Sequence, residues 1–355
     1  MRKRLQDAGL QLAVSAAAVL LALVAGAVFI VALGKNPFSV YALLVSGSLG
    51  DNYGFGQVVY KSTSLVFVGV AVAMSFRAGL FNIGAEGQIY LGAFAAAWVG
   101  LQWPEDTTFG GLWVVCCLAG FAGGAVAAAV PAVLKATRGT HEVIVTIMMN
   151  FIVIAGVHWM LNRIPNLKEP ETVHTWELAK TAHLRSYGDV FKGSAANTSV
   201  WIALAAAAAA AYLLWRTRTG YEMRAAGLAP RAAEAGGVRM RWTMCLTLLL
   251  SGGLAGLGGV NFVLGNKHYF EQEFSAGVGF MGIAVALLGR SHPIAVVPAA
   301  LLFATLSEGA VAIGRQVPNE IIDILQAIVI LFLLVGARLL DRAVAAWQKA
   351  RLAHA

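Results

Sequence analysis

The sequence predicts an all-α, polytopic membrane protein with about ten transmembrane helices. Three observations carry this. Hydrophobic types make up 59% of the 355 residues and charged types only 12%, against about 25% charged in a soluble domain. The apolar residues fall in blocks, several of them about 20 residues long, the length that crosses a hydrocarbon core of about 30 Å. Lys and Arg collect in short segments between the blocks. The net charge of +8 therefore reads as membrane topology, with lipid as the surroundings and no nucleic-acid partner.

The ten spans are expected at 10–33, 61–76, 88–103, 112–134, 142–161, 200–215, 242–264, 278–289, 293–313 and 321–337. The second and eighth are short, as re-entrant or broken helices near a transport path are. The run at 10–33 is too long for a signal-peptide core, so it reads as a retained first helix. Most basic residues, among them Arg2, Lys3, Arg4, Lys135, Arg138, Arg216 and Arg342, fall on one side of this layout. That side, with both termini, is expected to be cytoplasmic. A long polar segment at 162–199, with Pro165, Pro170 and Trp176, is expected outside the bilayer with a short amphipathic element. Trp98, Trp103, Trp113, Trp159, Trp201, Trp215 and Trp242 lie near span ends, as in an interfacial belt. Residues 1–355 read as a single transmembrane domain.

Gly120 with Gly124, and Gly252 with Gly256, space small residues as helices that pack closely in lipid do. Cys116, Cys117 and Cys245 lie inside apolar blocks and give neither a disulfide framework nor a metal spacing. His141-Glu142 begins a zinc-protease pattern, but Val145 stands where the second His belongs. Gly277-Val-Gly-Phe-Met-Gly282 matches a dinucleotide fingerprint but opens an apolar span, so these are packing glycines. Gly34-Lys35 is followed by Asn36, and no phosphate-binding loop exists elsewhere. No catalytic residue, metal or cofactor is expected on this chain.

The longest basic-side loop is 216–241. Pro230 can open a short helix over Arg231–Ala235 that Gly236 ends, while Gly220 and Gly227 punctuate the rest. Such a loop either docks a soluble partner or only fixes topology. In 76–88, Asn82 can cap the following helix, and Glu86 sits at its positive end. Arg77 and Glu86 can pair across the turn, and Gln88 can face a polar solute. The turn is either a capped corner at the membrane edge or a broken helix lining a path. Glu142, Asn150, His158, Asn261, Glu308, Asp323 and Gln326 are further polar groups within spans, and Glu308 is the deepest acid.

Gly220-Tyr-Glu-Met-Arg-Ala-Ala-Gly227 with Ala232-Ala-Glu-Ala-Gly-Gly-Val238 resembles the coupling loop of bacterial ABC permeases. Phe76-Arg-Ala-Gly-Leu-Phe-Asn-Ile-Gly-Ala-Glu-Gly-Gln88 and Ala286-Leu-Leu-Gly-Arg-Ser-His-Pro293 resemble segments of the simple-sugar and nucleoside branch, related to ribose and branched-chain amino-acid permeases. The resemblance implies a type II-like importer permease in a bacterial inner membrane, working by alternating access. It implies ATPase subunits that bind ATP and Mg, a second permease (a copy or a related chain) and an external substrate-binding protein. It also implies coupling through Gly220, Glu222, Arg224, Ala226, Gly227, Ala233 and Gly236. The path candidates are Asn82, Glu86, Gln88 and Glu308. A secondary transporter would need midplane acids and an internal repeat, and no convincing repeat is present. A membrane enzyme would need clustered His or Asp, and the seven His residues are scattered.

Overall fold

The computed structural model of the chain describes residues 20–314, apart from 22 and 33, and four further positions at 327, 328, 331 and 335. Among these, the helices are α1 (Leu23–Ala32), α2 (Pro37–Leu49), α3 (Asn52–Arg77), α4 (Ala85–Leu101), α5 (Leu112–Arg138), α6 (Glu142–Arg163), α7 (Ser199–Arg216), α8 (Arg218–Leu228), α9 (Pro230–Ala235), α10 (Met240–Phe262), α11 (Val278–Leu288) and α12 (Pro293–Ile313). Six are long and apolar enough to cross a membrane: α3, α5, α6, α7, α12, and α10 with its π-helical extension to Lys267. The pair α1 and α2, bent by 120°, makes a seventh if it is one span. The fold class is the all-α polytopic one expected from the sequence; the count of ten is not reached among the described residues.

The chain groups into two compact units. The smaller holds the N-terminal segment to Asp51 and the residues from Thr305 onward. In it Ile30, Val40, Leu44 and Ile313 form a buried cluster. Pro37 starts α2 one residue after Asn36, whose side chain accepts the Phe38 amide at 3.0 Å. This helix was not foreseen, because the Gly34–Pro37 break reads as a loop. The expected tenth span, with Asp323 and Gln326, lies outside the described residues apart from those four isolated positions.

The larger unit, Asn52–Ala304, has α3 and α10 at its centre. The most apolar stretch of α3 is 89% buried, that of α6 only 22%, so α3 meets protein all round and α6 presents most of its surface outward. The second span is therefore not short. The expected start at Lys61 left out the polar residues Asn52 and Gln57, but the helix begins nine residues earlier, at Asn52. The eighth span, α11, is short as expected.

The two small-residue motifs pack on each other. A Cβ at Gly124 would lie 2.1 Å from the Gly252 carbonyl oxygen, and one at Gly256 2.3 Å from that of Gly120. Antiparallel α5 and α10 thus touch backbone to backbone. Gly92 of α4 joins them, its Cβ position 2.4 Å from Gly256 Cα. Close approach of this kind holds membrane helices by van der Waals contact alone.

Because α5 and α10 are antiparallel, the bundle has two faces. One, the basic face, carries Lys135, Arg138, α8 and α9. The other carries the 164–198 loop, whose backbone bonds to the π-helical extension of α10 and the residues just after it. Leu184 donates to Leu264 O (2.8 Å), Leu178 to His268 O (2.8 Å) and Thr175 to Phe270 O (2.9 Å). The only helical turn among its described residues is Lys180–Ala182.

Candidate coupling and pathway site

Arg77 ends α3 at the basic face. Its Nε donates to Ser291 O (2.8 Å) and its Nη2 to Arg290 O (3.0 Å). These carbonyls close the C-terminal end of α11, where Arg290 and Ser291 both adopt left-handed backbone (φ 52°). Glu86, in the first turn of α4, holds the other end of α11. Its carboxylate accepts from Ser275 Oγ (2.5 Å), Gly277 N (3.2 Å) and Gly279 N (2.6 Å). Each charge opposes the dipole end it meets. The expected Arg77–Glu86 pair does not form. Eleven residues of α11 separate the two side chains by roughly 16 Å.

Residues 78–84 therefore climb from the basic face into the bundle before α4 begins. Irregular backbone is stable there only if its polar groups are satisfied. Asn150 of α6 does this: its Nδ2 donates to Ile83 O (3.0 Å) and its Oδ1 accepts from Gly87 N (2.9 Å). Asn82 is fully buried. It exchanges two amide hydrogen bonds with Gln88 (2.8 and 2.9 Å) and donates to Ser251 Oγ (2.8 Å), which itself donates to Ala71 O (2.8 Å). Its Oδ1 also accepts the Gly84 amide at 3.2 Å, but the residue preceding α4 is Gly84. Asn82 thus braces the turn and is not the helix cap. Gln88 is buried against Asn82. The 78–84 segment between α3 and α4 is thus held inside the bundle by a polar network.

Gly279 makes the seat for α11, since a Cβ there would lie 2.4 Å from the Glu86 amide nitrogen. Gly282 does the same against Val68. Of the three fingerprint-like glycines, Gly279 and Gly282 are packing residues as expected, whereas Gly277 has nothing near its Cβ position and serves a left-handed backbone (φ +80°). Glu308 is buried on α12, in the smaller unit. Glu142 starts α6 and pairs with Lys135 at 2.7 Å.

On the basic face, α8 leaves α7 through Thr217, whose Oγ1 accepts the Gly220 amide (3.1 Å). Gly220 and Gly227 lie inside this helix and do not break it. A Cβ at Gly220 would sit 1.9 Å from Leu213 O, and one at Gly227 2.3 Å from Arg77 O and 2.7 Å from Gly79 N. Arg224 donates to Leu214 O (2.9 Å) and lies over Trp215 (6.0 Å). Glu222 pairs with Arg218 at 3.0 Å; Ala226 and Ala233 are buried. The short helix at Pro230 forms as expected, Gly236 closing it with its amide on Ala232 O (2.9 Å). Among the seven coupling candidates, only Gly236 is exposed. Sequence reasoning missed Leu228, 86% exposed in the turn between α8 and α9. A lone apolar residue between Gly227 and Ala229 gave no pattern to mark it.

Trp215 ties these parts together. Arg77 lies over its ring (5.5 Å) and His292 stacks on it (4.4 Å). Burial, and the Arg77 cation beside it, hold the His292 imidazole below the usual histidine range. Contacts thus run from the end of α8 through Gly227 and Arg77 to the C-terminal end of α11, while Glu86 holds its N-terminal end.

The described helices form a multi-pass membrane bundle with an irregular, polar-braced segment inside and a helical elbow on one face. The family model for the branched-chain amino acid transport system permease component matches residues 54–334, and the chain belongs to this family. It is 36% identical to the guanosine ABC transporter permease protein NupP of Bacillus subtilis, over 89% of this chain and 90% of that one. It is 32% identical to the nucleoside ABC transporter permease protein NupB of Lactococcus lactis (90% and 89%) and 31% identical to the glucose ABC transporter permease protein TsgB13 of Haloferax volcanii (89% and 85%). Members are transport subunits that work with ABC ATPases and substrate-binding proteins.

Proposed function

We propose that this chain is the permease of an ATP-driven importer of nucleosides, with simple sugars as the nearest alternative cargo. The substrate class rests on the likeness to guanosine and nucleoside permeases over nine-tenths of the chain. The mechanism rests on one observation, the path of contacts from the end of α8 to α11. ATPase subunits bind the exposed turn at Leu228 and α9. Their closure moves α8. Gly227 leaves no space between α8 and the Arg77–Gly79 backbone, so the motion passes to the end of α3 and, through Arg77, to α11. The Glu86 clamp makes α11 move as one piece with the start of α4, opening the path beside the 78–84 segment to one side at a time. No bond of the substrate is made or broken.

In this reading the whole chain acts as one permease domain in a bacterial inner membrane, with the basic face and both termini cytoplasmic and the 164–198 loop outside. The second permease is a related chain, and an external binding protein delivers the cargo. ATP and Mg bind only the ATPase subunits. Uptake of labelled guanosine, glucose and leucine into vesicles holding the full transporter tests this. ATP-dependent guanosine uptake is expected; uptake of leucine alone, or uptake by this chain without ATP or partners, would contradict it.

A further inference from the structure

At the edge of the loop face, a cavity of about 430 Å³ opens between the first turns of α5 and α7. It is lined by Trp113, His183, Leu184, Arg185, Trp201 and Ile202, with Thr198 at its base. Loop residues 183–185 roof it. The walls are mostly apolar, and the one cation lies at the rim. Arg185 is exposed and has no carboxylate partner among the described residues. Its backbone is fixed, because its carbonyl accepts the Thr198 amide (3.0 Å). The indole of Trp201 is fixed too, donating to Tyr187 Oη (3.0 Å), yet 63% of the residue stays exposed. His183 is held by its stack on His268 (3.7 Å) and by Leu178 O (2.9 Å). Two tryptophans mark the level at which spanning helices leave the hydrocarbon. An apolar slot at that level, under an unpaired guanidinium, matches a molecule with an acyl chain below and a phosphodiester above.

We propose that this groove holds one phospholipid of the loop-side leaflet, its phosphate on Arg185 and an acyl chain between Trp113 and Ile202. The lipid would tie the docked loop to the outer helices α5 and α7. The inference does not depend on the transported substrate.

The test uses the full transporter in lipid nanodiscs containing phosphatidylglycerol with a photoreactive diazirine in the acyl chain. Peptide mapping is expected to find label at Trp113 and at Trp201–Ile202 well above that at Phe151, an exposed α6 residue outside the groove. Arg185→Gln should lower the groove label about tenfold, the loss of a charged hydrogen bond, and leave the Phe151 label unchanged. Ile202→Trp, which fills the slot and keeps the charge, should lower it as well. Equal labelling at Phe151 and the groove, unmoved by either variant, overturns the proposal. So does displacement of the label by millimolar inorganic phosphate, which would make the occupant a free anion.

Discussion

Arg77 and Glu86 stand nine positions apart and grip opposite ends of the same helix, α11. Arg77 takes the carbonyls of Arg290 and Ser291, and Glu86 takes the amides of Gly277 and Gly279. The two side chains belong to one hairpin, so α11 is coupled to that hairpin at both ends. A helix of eleven residues is too short to be stable alone, and this grip supplies what its length does not.

Removing Glu86 should loosen the start of α11. Glu86→Ala leaves the Ser275 hydroxyl, the buried Gly279 amide and the half-buried Gly277 amide without an acceptor and should cost about 3 kcal/mol. Glu86→Gln should cost less, since an amide oxygen still accepts. Hydrogen exchange of residues 275–282 in the assembled transporter measures this. Protection equal to wild type in Glu86→Ala would refute the clamp.

Gly227 is expected to tolerate no side chain. The atoms in the way are backbone, so nothing can rotate aside. Gly227→Val should displace α8 and lower uptake at least about tenfold, the effect of overpacking by about 1.4 kcal/mol or more. Gly237, beside open space but at φ +86°, is a different case: Gly237→Ala should act through backbone strain only and leave most uptake intact. Initial uptake rates distinguish the two.

The α5–α10 contact should be the least forgiving of the packing sites. Gly124→Val drives a branched side chain into the Gly252 carbonyl and should lose about 3 kcal/mol or prevent assembly. Thermal unfolding in lipid, with Gly156→Val as a control, measures it. Gly156 has nothing nearby, and a helix interior accepts the substitution.

Acid should weaken the docking of the loop. Burial first, then the stacked His183, hold the His268 imidazole below the usual histidine value. Its folded form therefore stays neutral while the unfolded chain takes up a proton, so stability falls as pH drops below about 6.5. His268→Asn, which keeps a residue suited to the left-handed backbone (φ 63°), should flatten the slope between pH 7.5 and 5.5. An unchanged slope would assign the acid sensitivity elsewhere.

How much was legible in the sequence follows from how local each cause is. The helix at Pro230 and its Gly236 stop are set by neighbours a few residues away, and they form as read. The glycine pairs on α5 and α10 were visible as motifs, but their meeting is a tertiary fact. The start of α3 was placed at Lys61 because residues 52–60 carry Asn52 and Gln57 and lack an apolar run, whereas the helix begins at Asn52. The Arg77–Glu86 pairing failed because their true partners lie about 190 to 214 positions away, beyond any spacing rule. Gly220 and Gly227 read as breaks because a glycine that ends a helix and one that lets two backbones touch look alike in sequence.

The most direct test of the central claim separates ATP hydrolysis from transport. Arg77→Ala, in the transporter with its ATPase, second permease and binding protein, keeps the Leu228 surface but cuts the link to α11. Guanosine uptake is expected to fall at least about tenfold, the loss of two hydrogen bonds from a charged donor, while ATPase binding and ATP hydrolysis persist. Uptake and hydrolysis that stay at wild-type levels together would contradict the account.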